Sequence, residues 1–150
     1  MSYTIGQVSQ MMNISTYTLR YYDKEGLLPF VKRSPSGIRI FEDSDLHFLH
    51  VIHCLKNTGM SLDDIREFIR WADEGDSSLQ KRYDLFVERK KEVDRQIAQL
   101  IKYRECIEYK CEYYRKALEA GTESINLADS ENEDNMPLNK IIGLNKEEKE

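Results

Sequence analysis

Apolar positions along this chain change spacing several times, and each change marks an element. Ile5, Val8, Met11 and Met12 fall three and four apart, the period of one helical face. Thr4 and Gln7 before them form a T-x-x-Q capping box, and Asn13 is a turn residue that ends the run. A second helix starts at Ser15 or Thr16, either of which can cap it, and points Leu19 and Tyr22 inward. Gly26 is placed to close it in a left-handed conformation and Pro29 prevents its return. Residues 30–41 switch to strand character: FVKR and IRIF flank SPSG, which predicts a β-hairpin.

Helical spacing then resumes. A third helix is predicted over about 44–58, with Phe48, Val51, Ile52 and Leu55 as its apolar stripe and Gly59 as its cap. Ser61 and Asp64 form a second capping box, opening a fourth helix built on Leu62, Ile65, Phe68, Ile69 and Trp71; Gly75 stops it. Residues 77–120 contain neither proline nor glycine. There Leu79, Tyr83, Phe86, Lys90, Val93, Ile97, Leu100, Arg104, Ile107, Cys111, Tyr114 and Leu118 alternate by four and three, a heptad pattern. At about 1.5 Å per residue such a helix spans roughly 60 Å, too long for its stripe to be covered by a small domain, and it calls for a second chain. Folding back onto its own domain is the alternative.

Composition enlarges this picture. The charged share, 33% against 40% hydrophobic, suits a small domain plus a long solvated helix. No apolar run reaches a membrane span and the N-terminus lacks the order of a signal peptide, so a cytoplasmic protein with no membrane partner is expected. Three cysteines at irregular spacing predict free thiols. The net charge of -5 conceals segregation. Arg20, Lys24, Lys32, Arg33 and Arg39 gather in one segment against Asp23 and Glu25, whereas Glu131, Glu133, Asp134, Glu147, Glu148 and Glu150 crowd the tail. A local basic footprint matters more to phosphate than overall sign. Residues 121–150 read as an acidic, flexible tail with one apolar patch at 138–144 that could dock elsewhere.

Three stretches, TIGQVS at 4–9, TLRYYDKEGLLP at 18–29 and SGIRIFEDSDL at 36–46, resemble the MerR family of bacterial transcription regulators. The resemblance implies a mostly α fold. A winged helix-turn-helix DNA-binding domain occupies residues 1–74, with its helix-turn-helix at about 4–23. A long dimerising antiparallel coiled-coil helix follows at 77–120. It further implies a homodimer that binds a palindrome in promoter DNA, distorts the spacer and so serves RNA polymerase, a form of indirect readout. On that pattern residues 15–24 are the recognition helix. Thr16, Tyr17 and Thr18 would face base edges and nearby phosphates; Ser15 before them and Arg20, Tyr21, Tyr22 and Lys24 after them complete the DNA-binding set. Lys32, Arg33, Ser36, Gly37 and Arg39 set the wing on the backbone. Most such contacts position the protein rather than specify bases. One of Tyr21 and Tyr22 is expected to pack in the core instead, and Leu19 is assigned there outright.

The segment CLKNTGMSLDDI, beginning at Cys54, resembles the branch of the family that answers aldehydes and thiol-reactive electrophiles through one cysteine. His50 lies four residues before Cys54 on the same helical face, and a protonated imidazole there favours thiolate. Against this stand the helix C-terminus, whose dipole disfavours an anion, and the commoner role of cysteine as a small buried hydrophobe. His47, His50 and His53 spread around the helix, so a solvated face is expected rather than a metal site. Cys106 and Cys111 are five apart and make a poor chelate, and no cofactor is implied. No phosphate-binding glycine loop, HExxH or nucleophile–base–acid set is present, which speaks against an enzyme. The alternative to cysteine sensing is gating by a partner protein that engages the tail.

Overall fold

The computed structural model describes residues 1–129. The chain divides into two compact units, Met1–Asp94 and a second beginning at Arg95. The first unit carries, in order, β1 (Ser2–Tyr3), α1 (Ile5–Met12), α2 (Thr16–Lys24), β2 (Lys32–Arg33), β3 (Arg39–Glu42), α3 (Asp43–Asn57), α4 (Leu62–Glu74), a 3-10 turn (Gly75–Ser78) and the start of α5 (Leu79–Ala120).

Local chemistry sets the helix ends. The Thr4 hydroxyl accepts from the Gln7 backbone N–H at 3.2 Å, and the Gln7 side chain accepts from the Thr4 N–H at 2.9 Å, completing the capping box. Ser15 rather than Thr16 caps α2, its hydroxyl accepting from Thr18 N–H at 3.1 Å. The exits of α1, α2 and α3 share one device: a left-handed residue, then a backbone bond reaching five residues back. Asn13, at φ 54°, serves α1 with Ile14 bonded to Ser9. Gly26, at φ 75°, serves α2 with Leu27 bonded to Tyr22, and its lack of a Cβ is what makes so sharp an exit inexpensive. Gly59 does the same for α3.

The core of the first unit is built on Val8, Leu19, Leu27, Leu28, Phe41, Leu49, Ile52 and Ile65, all fully buried or nearly so. Full burial of such a side chain is worth about 1.5–3 kcal/mol. Leu19 joins α2 to this core, as expected. A chain of rings, Phe30–Phe48–Phe68–Phe86, runs alongside, with centroids 4.7, 5.9 and 5.5 Å apart in turn.

Several expectations need correction. The first hairpin strand is two residues, shorter than FVKR, the second is shifted one residue beyond IRIF, and the sheet has a third strand. β1 pairs antiparallel with β3, giving the order β1-β3-β2. The inward stripe of α3 is Leu49, Ile52 and Leu55, with Phe48 and Val51 only half-buried. Asp45, one turn before Leu49 on the same face, is buried as well and accepts from the Glu42 backbone N–H at 2.8 Å. A 3-10 turn precedes the long helix. It is pinned by the buried Ser78 hydroxyl, which lies against the carbonyls of Trp71 and Gly75 and receives Arg82 Nε at 3.0 Å.

In the second unit, α5 closes at Gly121 (φ 71°) with Thr122 bonded to Ala117, the same device again. The sequence reads residues 121–150 as an acidic, flexible tail, of which the described part runs to residue 129. Within it, Glu123–Asp129 form a 3-10 segment against the helix. Asn126 is buried there and donates Nδ2–H to the Tyr113 carbonyl at 3.1 Å, while Tyr113 and Ala117 are the buried residues of α5. The amide supplies a donor that solvent would otherwise provide, so the segment has a reason to stay. The acidic residues from Glu131 onward and the apolar patch at 138–144 lie outside the described residues.

Candidate nucleic-acid interface

Helix α2 has two distinct faces. Leu19 and Tyr22 point inward; Tyr17 is 79% exposed, and Arg20, Tyr21 and Lys24 are exposed with it. These four lie at i, i+3, i+4 and i+7, which is one continuous helical stripe. Among the described residues no ion pair holds Arg20 or Lys24. The helix therefore offers two free cations and two phenol rings along a single line. At its N-terminal end Ser15 is exposed and Thr16 and Thr18 are half-exposed, with the Ser15 and Thr18 hydroxyls 2.8 Å apart. Amides not yet committed to the helix also collect at this end, a setting that favours phosphate oxygens.

Tyr22 was expected among the DNA contacts, and the structure places it elsewhere. Its ring is 3% exposed, and its hydroxyl lies 2.8 Å from Nδ1 of His53 on α3. Helical spacing points Tyr22 inward, whereas the family pattern groups it with Tyr21 on the DNA face. The structure separates them, Tyr21 outward at the rim and Tyr22 inward.

The wing is tied to α2 by one carboxylate. Asp23 Oδ2 receives Arg33 Nη2 and Arg39 Nε, each at 2.7 Å. Arg33 also donates Nη1–H to the Gly37 carbonyl at 2.8 Å, bracing the turn from within. That turn is closed by Gly37 N–H on the Ser34 carbonyl at 2.8 Å, with Pro35 in its second position, where a fixed φ suits it. The Ser36 hydroxyl is engaged with Ser34 at 2.9 Å. Lys32 is paired with Glu42 at 3.1 Å on the exposed side of the sheet. Of the five cations that sequence put into one footprint, Arg20 and Lys24 are thus uncommitted and three hold the wing together. The role of Asp23 was missed because its partners lie 10 and 16 residues away; alternation of charge sign gave no hint of it.

Residues 3–70 match the profile of the MerR HTH family regulatory protein, and residues 46–108 match that of MerR, DNA binding. The chain belongs to the MerR family. A Haemophilus influenzae HTH-type transcriptional regulator of uncharacterised role is 46% identical over 128 residues, 85% of this chain and 95% of the relative. The Bacillus subtilis HTH-type transcriptional regulator AdhR is 34% identical over 84 residues, 56% of this chain and 60% of the relative. Among solved structures, HiNmlR, a MerR family regulator lacking the sensor domain and bound to promoter DNA, superposes with a TM-score of 0.73. It is 47% identical, with 81% of this chain and 97% of that one covered. A Bacillus thuringiensis MerR family regulator gives a TM-score of 0.70 at 42% identity, over 75% of this chain and 98% of that one. The MerR assignment makes this chain a DNA-binding transcriptional regulator and not an enzyme.

The candidate sensor lies on the same α3 that receives Tyr22. Cys54 and His50 are both exposed in the single chain. Cys106 and Cys111 are exposed as well. His53 is not part of a solvated histidine face. It is half-buried, and its imidazole is held below the usual range by burial and by neighbouring His50. Among the described residues no group of three or more histidine, cysteine or acidic side chains is arranged to hold a metal ion. None of the described helices is long and apolar enough to cross a membrane.

Proposed function

We propose that two copies of this chain bind a promoter palindrome, one α2 stripe and one wing per half-site, and activate by bending and untwisting the spacer for RNA polymerase. The observation that carries this reading is the α2 stripe of Tyr17, Arg20, Tyr21 and Lys24, exposed on a helix whose other face is core. Ser15, Thr16 and Thr18 complete the N-terminal end of that helix. Ser36, Gly37 and the remaining N–H groups of Lys32, Arg33 and Arg39 serve as wing contacts. Such contacts position the protein, and sequence preference comes largely from the cost of deforming the DNA.

The dimer is supported by α5. In the first unit Leu79, Tyr83 and Phe86 stand exposed on it; in the second, Ile97, Leu100, Ile107, Tyr114 and Leu118 do so. These fall on the heptad seam, and although Phe86 meets Phe68 and Tyr114 meets Tyr113 at one edge, most of the stripe is open to solvent among the described residues, the pattern a coiled coil requires. A homodimer joined by antiparallel copies of residues 77–120 covers them. The protein then acts in the cytoplasm, where promoter DNA lies. Its switch is electrophile or aldehyde modification of Cys54, whose exposed thiol stands four residues from His50.

The test is selection of duplex from a randomised library by the full chain, followed by titration across salt concentrations. A MerR-type reader returns palindromic half-sites and loses affinity steeply with salt, because each neutralised phosphate releases counterions. A flat salt dependence, or half-sites without symmetry, would overturn the reading.

A further inference from the structure

We infer that His53, which stands outside the DNA face, is a positioning residue for helix α2, acting through the hydroxyl of Tyr22. The inference rests on the reading of α2 as the DNA-facing helix. It goes beyond that reading by assigning part of the DNA affinity to a residue on α3 that touches no DNA.

The geometry is specific. Tyr22 lies near the C-terminal end of α2, on the face opposite the Tyr17–Arg20–Tyr21–Lys24 stripe, and its ring is sunk in the core. Its hydroxyl meets His53 Nδ1 at 2.8 Å, with ring centroids 5.9 Å apart and the planes inclined at 55°. Burial holds the phenol above its ordinary range, with Tyr21 adding to the effect, and holds the imidazole below its own. At neutral pH the phenol therefore keeps its proton and the imidazole is uncharged. Two uncharged partners share this bond, with the phenol donating to Nδ1 when the ring hydrogen of His53 sits on Nε2.

Apolar packing alone leaves a short helix free to roll slightly about its axis, because dispersion contacts are non-directional. Helix α2 has nine residues and two buried side chains. Directional bonds fix what packing does not. Asp23 supplies one set toward the wing, and the Tyr22–His53 bond supplies one toward α3. Loss of the second would let Arg20 and Tyr17 drift from the phosphate and base positions they must meet, without unfolding the domain. It would also leave the Tyr22 hydroxyl, a part-buried donor, without its partner.

The experiment uses the full chain and a fluorescein-labelled duplex recovered by the wild-type protein from a randomised library. Four variants are compared: His53→Ala, His53→Asn, Tyr22→Phe and the double Tyr22→Phe/His53→Ala. Asparagine places its Oδ1 close to where Nδ1 stands and can accept the phenol proton. His53→Ala and Tyr22→Phe should each weaken DNA binding about fivefold, the scale of one net hydrogen bond. The double variant should be no weaker than either single, and His53→Asn should bind within about twofold of wild type. All four are measured at a temperature where circular dichroism shows them fully folded, so that loss of fold cannot imitate loss of position. Arg20→Ala serves as the control for the DNA face itself. If Arg20→Ala weakens binding and His53→Ala does not, His53 has no positioning role and the DNA-facing reading stands. If neither affects binding, α2 is not the DNA face and both readings fall. Additive losses in the double variant, or failure of asparagine to restore affinity, would reduce His53 to a packing residue.

Discussion

Asp23 on α2 and Arg39 on β3 are joined by a 2.7 Å bond from the guanidinium Nε to Oδ2, and Arg33 on β2 shares the same oxygen. One carboxylate therefore fixes both strands of the wing against the helix that carries the exposed cationic stripe. The side chains of Asp23 and Arg39 are 21% and 22% exposed, so this pair is shielded enough to matter, whereas Arg33, at 49%, is more open to solvent.

Replacing Asp23 should separate two opposed effects. Asp23→Asn removes a negative charge from a surface proposed to meet phosphate, which by itself would tighten DNA binding. It also releases the wing. We expect the second effect to win, with DNA affinity falling about fivefold or more and the domain losing about 1–2 kcal/mol of stability, the scale of a charge-assisted hydrogen bond that is lost. Fluorescence anisotropy and urea denaturation measure the two quantities on the same samples. Tighter binding by Asp23→Asn would show that Arg33 and Arg39 are phosphate ligands first and wing struts second.

Arg20 gives a cleaner electrostatic test. It is exposed, and no described carboxylate competes for it. Arg20→Ala should lower affinity at every salt concentration and reduce the slope of log K against log salt. Two copies per dimer, each losing one phosphate contact at about 0.9 per contact, make the slope shallower by about two. Lys32→Ala, which breaks a pair with Glu42, should change the slope by less.

The local parts of this architecture were legible in the sequence, and the long-range parts were not. The Thr4–Gln7 box, the Ser15 cap and the exits at Asn13 and Gly26 depend on residues within a few positions of one another, so residue type and spacing decide them. The seam of α5 repeats often enough for its period to be unmistakable. By contrast, β1 is two residues long and pairs with a strand some forty positions later, which no local pattern announces. The Asp23 clamp and the Tyr22–His53 bond likewise join residues that only the fold brings together. The same limit made five cations look like one phosphate footprint when three of them were already engaged.

The N-terminal strand should respond to acid. Tyr3 donates its hydroxyl proton to Asp43 Oδ1 at 2.8 Å, and the terminal amine approaches Oδ2 at 3.3 Å. The Tyr3 bond first, then the amine, holds the Asp43 carboxyl below its ordinary range. A carboxylate with a depressed pKa contributes stability that is complete above its unfolded value and is lost as pH falls through the folded one. Wild type and Asp43→Asn should therefore differ in stability at neutral pH and converge in acid, below the usual carboxylate range. Denaturant midpoints at a series of pH values would show the convergence. A gap that persists in acid would mean the asparagine perturbs packing rather than charge.

Assembly should fail before folding does when the α5 seam is broken. Leu100 and Ile107 are 64% and 62% exposed in the single chain, so a charge at either meets water there. In a coiled coil the same charge is buried without a partner, which costs several kcal/mol. Leu100→Asp and Ile107→Asp should each shift the protein from dimer to monomer by analytical ultracentrifugation, with helical content nearly unchanged. DNA affinity should drop by far more than the few-fold loss expected from any single contact, since one head cannot hold two half-sites. A dimer that survives both substitutions would assign these residues to another surface.

Cys54 is where the signal is proposed to enter, and its exposure on α3 makes the idea testable without knowing the inducer. A small aldehyde or an alkylating agent such as iodoacetamide is the probe. Labelling followed by mass spectrometry should find Cys54, exposed on α3, modified earlier than Cys111, which lies on the α5 seam that the proposed dimer covers, and Cys106, which flanks that seam. Cys54→Ser, a small change at an exposed site, should bind DNA within about twofold of wild type. In a promoter-reporter assay it should no longer respond to aldehyde. Equal labelling rates at all three cysteines, together with full induction of Cys54→Ser, would remove the thiol from the mechanism. The alternative would then be a partner protein, tested by deleting residues 130–150 and asking whether induction is lost while DNA binding remains.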